Sequence, residues 1–200
     1  MALIDKLRPV EALFLLDYAG NESMYERETL TAALVYLKVK GYIEVKDGEL
    51  GLTGKGSKPT SNLREYEKGL LECIADDCQE DLKDVMVDYD FGESLAEKGY
   101  FRIETRRRGF WIFSWTQTKY VPTEKFGQAV GELEELKDKI TSAIENETPL
   151  TKKQVAMAYA FPSLAKGEDF KDYAVSVDDE ITDLLVATEV TGLTDILPGI

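Results

Sequence analysis

The residues with the clearest chemical potential are arginines and tryptophans gathered in one stretch of the chain. Arginine forms bidentate bonds with carboxylates and phosphates, and tryptophan adds cation–π contacts. This pattern is typical of a surface that binds an anionic partner. The candidate anion- or partner-binding residues are Arg102, Arg106, Arg107, Arg108, Trp111, Trp115 and Lys119.

The charge around this stretch is distributed unevenly. The chain has 38 acids and 24 bases, for a net charge of -14. Residues 65–97 hold twelve acids and two bases, whereas residues 98–127 hold two acids and seven bases. Residues 168–200 are again acidic, with a net charge of -8. The basic stretch can therefore either pair with these acidic blocks or bind an acidic protein, anionic lipid or nucleic acid.

Catalytic patterns are absent from the sequence. There is no histidine, which excludes histidine-dependent catalysis and histidine metal ligands. Phosphate loops, nucleophile elbows and dinucleotide fingerprints are missing. Cys73 and Cys78 are five residues apart, and we expect them on different faces of a helix and its exit, as bystander thiols. The sequence thus predicts a protein that is not an enzyme, with no cofactor and no metal.

A repeat indicates which elements position the basic stretch. Residues 37–45 and 95–103 share the pattern Leu-x-x-Lys-Gly-Tyr followed by alternating apolar residues. In each copy a helix ends, glycine takes the left-handed position, and a strand begins. Asp47-Gly48 and Arg108-Gly109 are the predicted hairpin turns. Helix, tight stop and hairpin are typical of a winged helix.

The fold class predicted is mainly α with small β-hairpins, an α+β protein. Its first helices are Pro9 to Tyr18, which ends before Gly20, one that follows a capping box of Ser23 and Glu26, and one capped by Asn62 with Glu65. The C-terminal region is predicted to hold an amphipathic helix from Phe126 to Ile144, a helix from the Thr151 cap to Ala160 that Pro162 stops, and a last helix that begins at Asp178. The apolar stripe of the amphipathic helix is Val130, Leu133, Leu136, Ile140 and Ile144. The short apolar runs predict no membrane span, and we expect a cytoplasmic protein. The predicted units are 7–54 (winged-helix-like), 61–121 (winged-helix-like), 124–190 (helical C-terminal region packed on the units) and 191–200 (loose tail).

The candidate recognition helices argue against DNA binding. From Thr29 to Leu37 the first has no charged residue, and a helix that is apolar all round is buried all round. The helix before the second hairpin carries five acids, which phosphates would repel: Asp84, Asp88, Asp90, Glu93 and Glu97.

Two family resemblances accompany these patterns. Four segments of the chain resemble a cytosolic region of predicted bacterial and archaeal membrane proteins of unknown function. They are the Pro9-x-Glu11 helix, the Ala32-Ala-Leu element ending in Gly41-Tyr-Ile, the Glu67 to Leu71 segment and Gly99-Tyr-Phe. The likeness covers about residues 9–120, without the membrane spans, and implies tandem winged helices in a freestanding version.

Other motifs are similar to the Golgi phosphoprotein three family, which binds phosphoinositides at membranes. They are Leu13-Phe-Leu-Leu-Asp, Ala33-Leu-x-x-Leu-x-x-x-Gly, Leu95-Ala-Glu-Lys-Gly and Thr118-Lys-Tyr-x-Pro-Thr. That family has arginines on the helix where this chain has aspartates, so its lipid site is not carried over.

Three functions follow as hypotheses. The leading one is a non-catalytic interaction or adaptor protein that binds a protein partner or associates with itself. The first alternative is a peripheral membrane protein that uses the basic aromatic hairpin on an anionic membrane surface. The second is a DNA-binding transcriptional regulator, although the acidic composition makes nucleic acid the least expected partner.

Overall fold

The computed structural model describes residues 6–20, 26–46, 49–58, 61–78, 81–110, 113–167 and 170. These residues form a mainly α protein with two small antiparallel sheets, which confirms the predicted α+β class. In chain order the elements are α1 (Pro9–Gly20), α2 (Glu26–Val39), β1 (Ile43–Lys46), β2 (Glu49–Leu52), α3 (Glu65–Ala75), α4 (Leu82–Val87), α5 (Phe91–Glu97), β3 (Phe101–Phe110), β4 (Phe113–Pro122), α6 (Glu124–Glu145), α7 (Lys152–Ala158) and α8 (Pro162–Ala165).

Some sequence predictions fall outside the described residues. They are the Asp47-Gly48 turn, the capping box that begins at Ser23, the last helix from Asp178 and the tail 191–200.

Helix α2 forms the centre of the core. All residues from Ala32 to Leu37 are buried, and Leu34, Val35 and Leu37 are fully enclosed. The helix packs against α1, α4 and α7, so neighbours cover it on several sides. The prediction that this apolar helix is buried is confirmed.

The repeated junction has the same hydrogen bonds in both copies. Gly41 and Gly99 have φ of 72° and 80°, the left-handed conformation that glycine adopts without strain. Tyr42 N donates to Leu37 O and Tyr100 N donates to Leu95 O, both at 2.9 Å. Each helix therefore ends in a Schellman motif that turns the chain into the first strand of a hairpin.

A Thr-x-Lys pair closes each hairpin onto its own junction, a feature that the sequence analysis missed. Thr53 Oγ1 donates to Gly41 O at 2.7 Å, and Thr123 Oγ1 donates to Gly99 O at 2.8 Å.

The lysines of these pairs repeat a second contact. Lys55 Nζ lies 4.1 Å from the ring centre of Tyr42, and Lys125 Nζ lies 4.3 Å from that of Tyr100. Each ammonium group also donates to the carbonyl of the lysine that precedes the glycine. The two units thus repeat in their side-chain bonding as well as in their backbone.

Four local predictions are wrong. The cap of α3 is Arg64 and not Asn62, because the Glu67 carboxylate accepts from Arg64 N. The acidic helix before the second hairpin is broken, since the Asp90 side chain accepts from Glu93 N and starts α5.

The third concerns Pro162, which occupies the first turn of α8 instead of ending α7. Finally, Cys73 and Cys78 lie with their sulfurs 2.8 Å apart and not on different faces, because the chain reverses after α3.

The C-terminal helices cover the side of α1 and α2. Helix α6 contacts α1, and α7 contacts both α1 and α2. Of the predicted stripe on α6, Leu133 and Ile140 are fully enclosed, and Val130, Leu136 and Ile144 are half-buried. Thr151 caps α7 through a hydrogen bond from Gln154 N, as predicted.

Candidate interaction arm and the charge cluster behind it

The second hairpin is longer than the sequence analysis predicted. Strands β3 and β4 have ten residues each, and their register pairs Phe101 with Pro122 and Phe110 with Phe113. Arg108-Gly109 therefore lies within β3, and its prediction as the turn is wrong. Glycine weakens a strand, but Gly109 and the residues on both sides of it are paired with β4, so the strand continues across this position. At about 3.3 Å per residue, each strand spans roughly 33 Å.

We call the part of this hairpin between Phe101 and Tyr120 the arm. Its described side chains are those of residues 102–106 and 116–119; all are exposed except that of Glu104, which is half-buried. Because consecutive strand residues point to opposite faces, exposure at consecutive positions means that both faces meet solvent there. Ile103, at 44% exposed, is among the few large apolar residues left in water in the described chain.

The predicted binding residues all belong to the arm. Arg102 pairs with Glu104 on its own strand, at 2.7 Å between Nη2 and Oε1, with 69% of the arginine side chain exposed. Arg106 and Lys119 are exposed, and no carboxylate of the described chain lies within ion-pair distance of either. The acids of the described part of residues 65–97 thus do not neutralise these three bases.

Arg107, Arg108 and Trp115 lie in the part of the hairpin near its tip. The register pairs Arg107 with Thr116 and Arg108 with Trp115. Trp111, and the side chains of residues 107–115, fall outside the described part of the structure.

Aromatic packing fixes the base of the arm to the body. Phe101 is 3% exposed, and its ring centre lies 4.8 Å from that of Tyr18 and 5.2 Å from that of Phe126. The Tyr18 hydroxyl donates to Tyr120 O. Because α1 and α6 both contribute rings, the arm leaves the body in a direction set by packed helices.

Tyr120 provides a second anchor. Its hydroxyl donates to both carboxylate oxygens of Asp90, at 2.9 and 2.7 Å. Burial, together with the bond to Asp90, raises the pKa of Tyr120 to about 12. The ring lies against Gly92, where a Cβ would overlap it. Helix α5 therefore needs glycine at this position for the arm to seat.

A cleft of about 520 Å³ opens beside this anchor. The residues that line it include the aromatic Phe14, Tyr89 and Tyr120 and the acidic Asp88 and Asp90. An acidic, aromatic cleft and a basic arm thus lie next to each other on the same molecule.

Behind the arm, two glutamates are buried where the units meet. Glu11 is 1% exposed and Glu67 is 0% exposed. Each begins a helix by accepting from the backbone N–H three residues earlier, from Arg8 to Glu11 at 3.1 Å and from Arg64 to Glu67 at 2.7 Å.

The side chains of these arginines cross over to the other unit. Arg64 Nε lies 2.9 Å from Glu11 Oε1, and Arg8 Nε lies 2.9 Å from Glu67 Oε1. The first contact is a hydrogen bond, whereas the second is an ion pair without hydrogen-bond alignment. In the two Arg-x-x-Glu motifs, therefore, each arginine side chain contacts the glutamate of the other motif, so the two contacts are reciprocal.

Lys98 breaks this symmetry. Its Nζ lies 2.7 Å from Glu11 Oε1 and 2.9 Å from Ser94 Oγ. Besides its contact with Glu67, Arg8 stacks on Tyr36, with Cζ 4.7 Å from the ring centre. Because Lys98 immediately precedes Gly99, this lysine ties the start of the second hairpin to the first unit.

The cluster shifts the pKa values of its members. Burial raises the pKa of Glu67, although the Arg64 backbone bond and the nearby arginines oppose the shift. Burial acts to lower the pKa of Arg64, but the charge and hydrogen bond of Glu11 outweigh it and raise that pKa. The sequence held a signal for this cluster, since Leu-Arg-x-x-Glu occurs at 7–11 and again at 63–67.

Comparisons with known proteins assign the chain to no family. No protein-family model matches the chain, and no curated protein matches it. The two family resemblances therefore stay predictions. Within the described ranges, no helix combines the length and the apolar character needed to cross a bilayer.

Proposed function

We propose that the protein is a non-catalytic interaction or adaptor module of the cytoplasm that binds an acidic protein surface through the arm. The two winged-helix-like units act as a scaffold that holds the arm in a fixed direction. The observation that carries the proposal is the arm itself, with solvent on both faces and bases that are not paired with the acids of the described body.

The arm offers two kinds of contact to a protein. Its sheet contains only β3 and β4 among the described strands, so within the described residues no third strand pairs with the outer edge of either one. An extended segment of a partner can add a strand at such an edge. The basic side chains then select acidic segments, because arginine binds carboxylates in bidentate geometry.

Neither candidate recognition helix is available to a DNA groove. Helix α2 is enclosed by three other helices. In α5 the exposed positions include Glu93 and Glu97, whose charges repel phosphates. This arrangement favours a protein partner over nucleic acid and leaves DNA binding without a structural observation in its support.

The test uses a chain in which the arm is shortened. Replacing residues 105–118 with Asp-Gly leaves Glu104 opposite Lys119 and gives the second hairpin the length of the first, whose register ends with Lys46 opposite Glu49. Asp-Gly is a favoured two-residue turn. The wild type and this trimmed chain are compared by crosslinking and affinity capture followed by mass spectrometry, and by the molar mass in solution.

A charge-reversal variant separates charge from length. Changing Arg102, Arg106, Arg107 and Arg108 to glutamate should abolish capture of the partner, and raising the salt concentration should weaken wild-type binding. The matched control reverses Lys137 and Lys139, which are exposed on α6. Equal capture by the wild type, the trimmed chain and the reversed arm would refute the proposal.

A peripheral membrane function is the second candidate, because the same exposed bases suit anionic headgroups. Flotation with vesicles that contain phosphatidylserine, against neutral phosphatidylcholine vesicles, tests it. Flotation that needs the anionic lipid and the four arginines would favour this reading. We rank it second because open strand edges serve a polypeptide partner and offer nothing specific to headgroups.

A further inference from the structure

The end of α3 brings the two cysteines of the chain into contact. Asp77 has a left-handed backbone with φ of 57°. Cys78 N donates to Cys73 O at 3.0 Å, and Asp77 N donates to Ile74 O at 3.4 Å. These two bonds define a Schellman motif, in which the residue after the left-handed position returns to the last turn of the helix. As a result, the two sulfurs lie 2.8 Å apart.

The same motif ends three other helices with different side chains. An apolar contact between the two residues that meet is usual there. In α2, α5 and α6 these pairs are Leu37 with Tyr42, Leu95 with Tyr100, and Ala143 with Thr148. The backbone reversal therefore forms without cysteine, and the thiols of α3 are not required to make it.

The two thiols differ in their access to solvent. Cys73 is 5% exposed, whereas Cys78 is only half-buried. Burial raises the pKa of Cys73 to about 12, with smaller effects from the Cys78 hydrogen bond and from Asp81 and Asp76. A reagent in solution therefore reaches Cys78 first and finds Cys73 directly behind it.

We infer that Cys73 and Cys78 are a redox-active dithiol that low-molecular-weight disulfides, such as glutathione disulfide, oxidise to an intramolecular disulfide. The Cys78 thiolate attacks glutathione disulfide, which gives a mixed disulfide and releases one glutathione thiolate. Cys73 then loses its proton as its sulfur attacks Cys78 Sγ, which forms the Cys73–Cys78 bond and releases the second glutathione as its thiolate. The two protein thiols lose two protons and two electrons, and glutathione disulfide is reduced to two molecules of glutathione.

The fold favours this product because it already holds the reversal. Closing a disulfide from an open chain costs conformational entropy, whereas two backbone hydrogen bonds fix Cys78 over Cys73 here. A left-handed backbone is unfavourable for a residue other than glycine, and the covalent link would keep Asp77 in that state. Disulfides in a reducing compartment are usually transient and regulatory, which fits a reversible closure at the end of α3.

The experiment measures the equilibrium between the dithiol and the disulfide. The full chain is incubated in buffers with graded ratios of glutathione to glutathione disulfide, quenched in acid and weighed. Internal oxidation lowers the mass by about 2 Da, whereas mixed disulfides raise it. The same titration in concentrated urea gives the constant for the unfolded chain. We expect the native constant to be at least about tenfold larger, because the fold holds the two thiols in contact.

The single variants Cys73→Ser and Cys78→Ser serve as controls. Each should lose the 2-Da product, and Cys73→Ser should accumulate the mixed disulfide at Cys78. A native constant equal to or below that in urea would overturn the inference, because it would mean that the fold opposes the bond. This comparison uses the wild-type chain alone, so it holds even where a variant folds poorly.

Discussion

Replacing Glu11 with alanine is expected to lower the free energy of unfolding by about 3 kcal/mol. The Glu11 carboxylate accepts from Arg8 N at 3.1 Å, Arg64 Nε at 2.9 Å and Lys98 Nζ at 2.7 Å. Removing one partner of a buried ion pair costs about 3–5 kcal/mol, because the other charge is left without compensation. The lower end applies, since the Arg64 and Lys98 side chains keep 30% and 24% exposure and can turn to water.

The assay is urea unfolding followed by circular dichroism, with Glu65→Ala as the matched control. Glu65 also lies in the first turn of a helix, and it pairs with Lys68 at 2.6 Å, but its side chain is 77% exposed. An exposed pair of this kind contributes about 0–1 kcal/mol. Equal destabilisation by the two changes would refute the view that the buried cluster holds the units together.

A double-mutant cycle then locates the coupling. Because Arg64 reaches Glu11 across the interface, the changes Glu11→Ala and Arg64→Ala should together cost less than the sum of their separate effects, by about 1–2 kcal/mol. The pair Glu11 and Lys68 shares no contact and should be additive. Additivity for both pairs would mean that the 2.9 Å contact adds nothing to the stability of the interface.

Three further predictions concern single residues. Burial raises the pKa of Glu67 above 4.5. The unfolded chain therefore releases the Glu67 proton at a lower pH than the folded chain, and the free energy of unfolding falls as pH rises from the unfolded pKa to the raised folded pKa. The unfolding free energy of wild type relative to Glu67→Gln should fall as pH rises from 4, and a constant difference would contradict this. Tyr120→Phe loses both hydrogen bonds of the phenol, so we expect about 1 kcal/mol less stability and faster amide exchange at the arm base; unchanged exchange would contradict the anchor. Gly56→Ala should cost about 2 kcal/mol through overlap with Tyr42 O, whereas Gly54→Ala has free space, and equal melting temperatures would refute that reasoning.

The parts of the fold that sequence predicted are those that local patterns determine. A Lys-Gly-Tyr junction ends a helix because glycine, which has no Cβ, adopts the left-handed conformation of the position after the cap without strain. A helix without charge between Thr29 and Leu37 must be buried, whatever covers it. Both predictions hold because each depends on residues that are close in the sequence.

The features that sequence missed depend on distant partners or on a choice between similar local structures. Arg64 and Glu11 are 53 residues apart, and no local pattern pairs them. Arg108-Gly109 resembles a turn, but the ladder that passes through it is set by the register of the whole hairpin. Asp77 takes a conformation that favours glycine, so the reversal that joins the two cysteines could not be read from residue types.

The two copies of the repeat differ in the length of their hairpins. Ten residues lie between Tyr42 and Thr53, and 22 lie between Tyr100 and Thr123. Since Tyr and Thr make the same hydrogen bonds in both units, the second hairpin is twelve residues longer than the fold requires. These twelve belong to the 14 residues between Glu104 and Lys119, of which two correspond to the two-residue loop of the first hairpin. The described side chains of this stretch are exposed.

Trimming the arm should therefore leave the stability of the body almost unchanged. The described side chains of this segment, those of residues 105, 106 and 116–118, are exposed, and exposed residues contribute little to folding. We therefore expect the replacement of 105–118 with Asp-Gly to change the free energy of unfolding by less than about 1 kcal/mol. The anchors Phe101 and Tyr120 are retained in the trimmed chain. A loss of several kcal/mol in urea unfolding would show that the arm packs on the body, and its exposed bases would then have a structural role instead of a binding one.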